Sequence, residues 1–182
     1  MLESIRISST KDEISLNNFK LNFICHSQVF TSISEFKGCT ASQNEENYGC
    51  EEAYDGIINN SDNGWSYNPP HSTAWVIFEL ENATPITSLA ILSGQQFPAD
   101  TLMIFKVTFK VGEEWIVPND LAIEDDPTAQ IANDGTITLD STNKVLNLVF
   151  FPVRNVQAIR LDVTKTNSDN NDLVISEIIP NY

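Results

Sequence analysis

The feature that most constrains the fold is a series of short apolar segments along residues 75–179. They are rich in Val, Ile, Phe and Thr, most alternate in polarity, and the segments between them are rich in turn-forming residues. A two-residue alternation of this kind is typical of half-buried strands. The predicted strands are WVIFEL (75–80), ITSLAIL (86–92), LMIFKVTFKV (102–111), TITL (136–139), KVLNLVFF (144–151), AIRLDVT (158–164) and LVISEII (173–179). No segment has a sustained helical stripe, so we predict an all-β chain folded as an antiparallel β-sandwich.

The length fits one large domain, or one domain with an extra arm. The chain has 182 residues, of which 41% are hydrophobic, which is enough for a core. Near the N-terminus, IRISST and FKLNFICH have the composition of strands. We therefore predict N-terminal strands or an arm at residues 1–35, packed on a sandwich domain at residues 36–182.

The charge of the chain argues against two classes of partner. The 25 acidic and 10 basic residues give a formal net charge of −15. Such a surface repels phosphate backbones and anionic membranes, so we expect no nucleic-acid partner. No run approaches the roughly 18 consecutive apolar residues of a membrane helix, so we expect no membrane insertion.

The cysteines leave two interpretations open. The three cysteines, Cys25, Cys39 and Cys50, are an odd number, which slightly favours buried free thiols. Alternatively, Cys39 and Cys50 form a disulfide in an oxidising compartment. The N-terminal sequence MLESIRISSTKDEIS is not a secretory signal. The localisation is therefore left open: extracellular or cell-surface if a signal was removed, and cytoplasmic otherwise.

The stretch EEAYDGIINNSDNGW, residues 51–65, combines carboxylates, asparagines and glycines with an apolar pair. It is interpreted either as a solvated acidic loop or as a loop that wraps a cation. Ile57 and Ile58 are expected to tuck the loop against the core beneath Trp65, which is itself favoured as a core residue over a ligand platform.

Several segments occur in an order that is typical of one family. The segments are Ala53-Tyr54-Asp55-Gly56, Trp65, WVIFEL from Trp75, ITSLAIL (86–92), VRNVQAIRL (153–161) and LVISEI (173–178). Together they resemble the discoidin, or coagulation-factor C-type, domains and the related carbohydrate-binding modules of the galactose-binding-like superfamily. The resemblance covers residues 36–180. It implies a galactose-binding-domain-like jelly roll of eight strands.

The resemblance also implies a calcium site. In many such domains a structural calcium ion is bound at the Ala-x-Asp-Gly loop and by a Glu of the last strand. On this chain the implied ligands are Asp55, Asn60, Asp62 and Glu177, with Ser61 beside them. Calcium takes six to eight oxygen ligands, which this loop is able to offer. Ile57 departs from the family, which often has a polar residue there; without a metal, the Asp and Asn side chains make turns.

Family ligands usually bind loops at one end of the sandwich. The candidate ligand residues combine hydrogen-bonding groups with aromatic platforms for a sugar ring. The predicted hydrogen-bonding residues are His71, Gln95, Gln96, Arg154 and Asn155, and the predicted platforms are Tyr67 and Phe97. Arg160, on a predicted strand, is expected to be structural and to pair with a carboxylate or with carbonyl groups.

The sequence does not favour an enzyme. Neither His26 nor His71 lies in a recognised catalytic motif, and GxSxG, HExxH and phosphate-loop patterns are missing from the sequence. We predict a non-catalytic, lectin-like module that is stabilised by calcium and binds a glycan or glycoprotein. The alternative is a protein-interaction or scaffold module of the same fold.

Overall fold

A computed structural model describes residues 36–44, 46–57, 64–67, 73–93, 104–118, 120–123, 129–139, 145–164 and 173–181. All of them belong to one compact unit, Ser32–Tyr182. The predicted strands and arm at residues 1–35 lie outside the described residues, so the proposed domain boundary stays a prediction. Within the described ranges, no helix is long and apolar enough to cross a membrane.

The described part of the chain forms ten strands. In chain order they are β1 (Phe36–Ala41), β2 (Trp65–Tyr67), β3 (Thr73–Ser93), β4 (Ile104–Val111), β5 (Glu114–Ile116), β6 (Asp120–Ile123), β7 (Gln130–Ile131), β8 (Thr136–Thr138), β9 (Val145–Thr164) and β10 (Leu173–Asn181). A short 3₁₀ helix, Cys50–Ala53, lies between β1 and β2. The strand pairs are antiparallel throughout. The prediction of an all-β, antiparallel fold is confirmed.

A long β3–β9 ribbon is the centre of the sheet. Its pairing runs from Thr73 opposite Thr164 to Leu92 opposite Val145, with register shifts between Glu79 and Thr84 and just after Ile86. Such bulges bend a pair of strands. The first half of β3 is flanked by β1, and its second half by β10. On the other edge of the ribbon, β4 pairs with the second half of β9 and β6 with the first half.

The two halves of the bent ribbon supply the two layers of a sandwich. We call the layer with β1, β4, β5, β7 and β8 sheet I, and the layer with β2, β6 and β10 sheet II. One buried cluster contains side chains from both layers: Val76, Phe78, Val107 and Leu161 from sheet I, and Leu89, Ile91, Leu148 and Ile178 from sheet II. A fully buried side chain of this size contributes about 1.5–3 kcal/mol, so this core is the main stabilising element.

The strand boundaries differ from prediction at the bend of the ribbon. The segment Asn82-Ala83-Thr84-Pro85 separates two predicted strands, whereas the structure continues β3 through it. Residues of this type favour turns, but here an exposed bulge accommodates them where the ribbon passes from one layer to the other. Strands β5, β6 and β7 were not predicted, because two to four residues carry no readable periodicity.

The structure decides between the two interpretations of the cysteines. Cys39 of β1 and Cys50 of the 3₁₀ helix are joined by a disulfide that closes a separation of 11 residues. The slightly favoured free-thiol interpretation is therefore wrong for these two residues, while Cys25 lies outside the described residues. The bridge fixes the helix, and the loop that follows it, to the edge strand of sheet I.

Candidate functional site

The Asp55–Gly56 turn contacts the last strand of the fold. Gly56 has a φ of 80°, a conformation that favours glycine. Its backbone N–H donates a hydrogen bond to Glu177 Oε2 at 3.2 Å, across a separation of 121 residues. The Ile57 N–H donates to Asp55 Oδ1 at 2.8 Å. Asp55 therefore makes the turn contact that its residue type predicts, and the turn lies next to Glu177, the other implied ligand.

Glu177 is a buried carboxyl group. Its residue is 3% exposed, in β10. Burial raises the pKa of Glu177 to about 7; the hydrogen bond from Gly56 opposes this shift, and the negative charge of Asp55 adds to it. Ionisation of Glu177 therefore costs free energy in the folded state, because desolvation and repulsion by Asp55 both disfavour the charged form.

This pair of carboxyl groups fits a hard cation chemically. A cation between Asp55 and Glu177 would offset their repulsion and the cost of burying Glu177. Asn60 and Asp62, the other implied ligands, lie outside the described residues. The described part of the chain also brings Cys39, Cys50 and Glu51 together, but the two sulfur atoms are bonded to each other and offer no thiolate.

Tyr54 packs the turn against the core. Its ring centroid lies 5.3 Å from that of Phe36 and 6.1 Å from that of Phe78. Cys50 and Ala53, in the 3₁₀ helix before it, are buried. Ile57 is 49% exposed, so the expectation that it tucks the loop under Trp65 is wrong. Ile58 lies outside the described residues.

Trp65 is a core residue with two hydrogen-bond partners. It is fully buried, and its indole Nε1–H donates to the Gln43 carbonyl oxygen at 2.9 Å and to Asn44 Oδ1 at 3.0 Å. The favoured assignment of Trp65 to the core is therefore confirmed. The same contacts attach the segment after β1 to β2.

Tyr67 does not serve as a sugar platform in this structure. Its side chain is 1% exposed and stacks on Trp65, with ring centroids 5.7 Å apart. The prediction treated Tyr67 as part of a loop, but it lies in β2, opposite Leu173 of β10. Strand pairing turns the ring inward, and an isolated WSY sequence gives no signal of that orientation.

The remaining loop candidates belong to segments that begin and end at one edge of the sandwich. Segment 68–72 follows Tyr67, segment 94–103 follows Ser93, and segment 165–172 precedes Leu173. The strand ends that bound them are neighbours, since Tyr67 pairs with Leu173 and Ser93 pairs with Ile175. His71, Gln95, Gln96 and Phe97 are in these segments, outside the described residues.

Arg154 and Asn155 lie at the other end. They are opposite Ile86 and Pro85, at the bend of the β3–β9 ribbon. Segments 68–72, 94–103 and 165–172 are connected to the two ends of the β3–β9 ribbon. The bend in the middle of the ribbon therefore lies at the opposite end of the sandwich. Grouping Arg154 and Asn155 with the loop candidates was therefore wrong, because β9 continues through both residues. No local sequence signal marks that continuation.

Arg160 has the structural role that was predicted. Its guanidinium forms a bidentate pair with Asp162, with Nε at 3.0 Å and Nη2 at 2.6 Å from Oδ1. The same guanidinium lies 5.1 Å from the centroid of the Trp75 ring, on the neighbouring strand. These residues share the outer face of sheet I, which sequence reasoning did not identify as a surface.

Comparisons with known proteins agree with this architecture. A family model described as F5/8 type C domain matches residues 38–178. None of the curated proteins compared matches the sequence.

Several solved structures share the fold. A family 32 module, CBM32-3, of a family 31 glycoside hydrolase from Clostridium perfringens has a TM-score of 0.60 and 17% identity, and the match covers 81% of this chain and 91% of that one. A pectin-binding carbohydrate-binding module has a TM-score of 0.58 and 21% identity, over 82% and 92% of the two chains. The family 32 module of NanJ from C. perfringens, solved with galactose, has a TM-score of 0.57 and 15% identity, over 79% and 91%.

Proposed function

The chain belongs to the F5/8 type C domain family, and from this premise we propose that it is a non-catalytic module that binds carbohydrate. The binding site is formed by the loops at the end of the sandwich where β2, β3 and β10 meet segments 68–72, 94–103 and 165–172. The observation that carries the proposal is the pairing of Tyr67 with Leu173 and of Ser93 with Ile175. These pairings make the strand ends that bound the three segments neighbours, and this supports assigning the site to the predicted sugar-binding residues His71, Gln95 and Phe97 of those segments.

The similar structures support the choice of ligand class. One is a pectin-binding module and another was solved with galactose. Sugar recognition needs an aromatic ring for the apolar face of the pyranose and a few polar groups for its hydroxyls. After the burial of Tyr67, Phe97 is the aromatic candidate that remains, with His71 and Gln95 as hydrogen-bonding groups.

The test is a glycan array followed by titration of the best ligand. Phe97→Ala and His71→Ala should each weaken binding about tenfold or more, because they remove a stacking surface or a hydrogen bond. Asn155→Ala is the matched control, since Asn155 is exposed at the other end of the sandwich. An array with no bound glycan, together with capture of a protein in a pull-down, would favour the protein-interaction alternative.

A structural calcium ion is the second part of the proposal. Asp55 and Glu177, with Asn60 and Asp62, would hold the ion and join the turn after the 3₁₀ helix to β10. The burial of Glu177 and its repulsion by Asp55 support this assignment, since a bound cation would offset both effects, which raise the pKa of Glu177. Melting with calcium and with EDTA tests it, and identical melting temperatures would remove the calcium assignment.

The disulfide supports a location outside the reducing cytoplasm. Cys39 and Cys50 are bonded, and such bridges persist in oxidising compartments. We therefore propose that the module works extracellularly or at a cell surface. Mass spectrometry of the alkylated protein, isolated from its native source without reductant, should find the Cys39–Cys50 peptide, and alkylated thiols at both positions would contradict the proposal.

A further inference from the structure

The outer face of sheet I differs in charge from the rest of the molecule. In β4, Phe105, Val107 and Phe109 are buried, so Lys106, Thr108 and Lys110 point to the opposite face. Among the described strand residues, this face carries the basic Lys37, Lys106, Lys110 and Arg160, and the acidic Glu79 and Asp162. Basic residues therefore outnumber acidic ones here, in a chain whose net charge is −15.

The acidic side chains of this face are already engaged. Glu79 pairs with Lys37 at 3.1 Å, and Asp162 pairs with Arg160. Asp162 is the strand neighbour of Lys106, but its carboxylate is held by the guanidinium. Within the described part of the chain, neither Lys106 nor Lys110 lies within ion-pair distance of a carboxylate.

Lys106 and Lys110 form a strip with an exposed aromatic residue. They are four residues apart on one face of β4, a separation of about 13 Å at 3.3 Å per residue. Trp115 of β5 is directly opposite Lys110 and is 43% exposed. We call Lys106, Thr108, Lys110 and Trp115 the lysine strip.

Acidic residues border the lysine strip. Glu113 and Glu114 lie at the β4–β5 turn, and Asp134 lies in the turn between β7 and β8. Hydrogen bonds from Thr136 lower the pKa of Asp134, and the charge of Lys106 contributes further. The lysine strip is therefore a local basic region bordered by acidic turns.

We propose that the lysine strip is a second carbohydrate site, which binds a linear polysaccharide of uronic acids. Two of the sugar carboxylates pair with Lys106 and Lys110, and a sugar ring packs on the exposed indole of Trp115. The inference rests on the proposed carbohydrate-binding function for its choice of a glycan over an acidic peptide. Lys106 and Lys110 are single charges that lie far apart, which suits a polymer with one carboxylate per sugar. A densely sulfated polymer carries more negative charge, so the rest of the acidic surface would repel it more strongly.

The net charge of the chain does not prevent this contact. At an ionic strength of about 0.15 M the Debye length is about 8 Å, so a bound carboxylate responds mainly to the strip. At about 0.01 M the length grows to about 30 Å and the whole acidic surface repels the polymer. Binding should therefore be weaker at about 0.01 M than at about 0.15 M, opposite to the behaviour of an ordinary basic patch.

The experiment is affinity electrophoresis of the full chain in gels that contain polygalacturonate. Gels that contain fully methyl-esterified polygalacturonate, which is uncharged, are the control. Lys106→Gln/Lys110→Gln and Trp115→Ala should each weaken retardation by polygalacturonate about tenfold, as expected for losing about 1.4 kcal/mol of contact free energy. Lys37→Gln is the control on the same face, because Lys37 is already paired with Glu79. Equal melting temperatures establish that the variants are folded.

The outcomes separate this site from the loop site. Retardation that is unchanged in both strip variants overturns the inference, and so does equal retardation by polyglutamate, which would indicate a surface for acidic peptides. If the strip variants still bind the array ligand of the loop site while losing polygalacturonate, both proposals stand. If polygalacturonate binds through the strip and the array is silent, the inference stands and the loop site fails.

Discussion

Glu177 is the described residue whose ionisation has the largest expected effect on stability. Its pKa is raised from 4.5 to about 7 on folding, chiefly by burial. A raised pKa means that the folded state binds the proton more tightly. The associated stabilisation is complete below about pH 4.5 and is lost as the pH rises through about 7.

The first prediction concerns this pH dependence. In EDTA, the free energy of unfolding of wild type relative to Glu177→Gln should fall by about 3 kcal/mol between pH 4.5 and pH 8, since one pKa unit is worth about 1.36 kcal/mol. Urea unfolding at several pH values measures it. Because the amide does not ionise, the difference isolates Glu177, and parallel profiles for the two proteins would contradict the prediction.

The second prediction concerns the same residue in calcium. With saturating calcium, wild type should gain stability at pH 8, and the Glu177→Gln protein should gain little, since it has lost an anionic ligand. Melting curves with calcium and with EDTA measure both changes. An equal gain in wild type and variant would show that calcium acts elsewhere on the chain.

At the scale of elements, the contact between the chain before β2 and strand β10 is unusually close. Gly64 has a φ of 129°, and a Cβ added there would lie 2.6 Å from the Ile175 carbonyl oxygen and 2.9 Å from Ser176 Cα. Both contacts are with backbone, which cannot move without disturbing β10. Trp65 and Tyr67 therefore reach the core only because residue 64 is glycine.

The third prediction follows from this contact. Gly64→Ala should lower the free energy of unfolding by at least about 1–3 kcal/mol, through the clash and the positive φ. Gly38→Ala in β1 is the matched control, because a Cβ at that position meets nothing within 4 Å. Chemical denaturation measures both, and a Gly64→Ala protein as stable as the control would contradict the packing described for β2.

The position of the 3₁₀ helix also depends on one contact, in this case a disulfide. The Cys39–Cys50 disulfide closes a separation of 11 residues and holds the helix to β1. Replacing both cysteines with serine should cost about 2–3 kcal/mol by the loop-closure relation. Denaturation of the Cys39→Ser/Cys50→Ser protein beside wild type, with and without reductant, measures this cost; wild type that is unaffected by reductant would contradict the prediction.

At the scale of the whole molecule, stability and recognition are located at separate places. The hydrogen bond from Gly56 to Glu177 joins the Asp55–Gly56 turn to β10 across 121 residues, whereas the proposed sugar-binding residues belong to other segments of the chain. The fifth prediction is that Asp55→Ala lowers the melting temperature while changing glycan affinity less than Phe97→Ala does. Calorimetric titration and thermal melts of both variants test it, and the reverse ranking would place recognition at the Asp55 turn.

The sequence predicted the fold better than the site. Alternation in WVIFEL and LMIFKVTFKV identified real strands, because a half-buried strand imposes that pattern locally. The structure places Glu177 beside the Asp55–Gly56 turn, and the implied calcium site there stays a prediction. Tyr67 and Arg154 were misplaced, since their roles depend on which strands pair and where a ribbon bends, and neither leaves a local signal.

By itself, the sequence determined that this chain is an antiparallel β protein with a tight Asp-Gly turn, because periodicity and turn chemistry act over a few neighbouring residues. Only the tertiary structure decided that β3 and β9 run through the bend, that Cys39 meets Cys50, and that Lys106 and Lys110 share a face with Trp115. These features depend on register and burial, which are set by contacts between residues far apart in the chain.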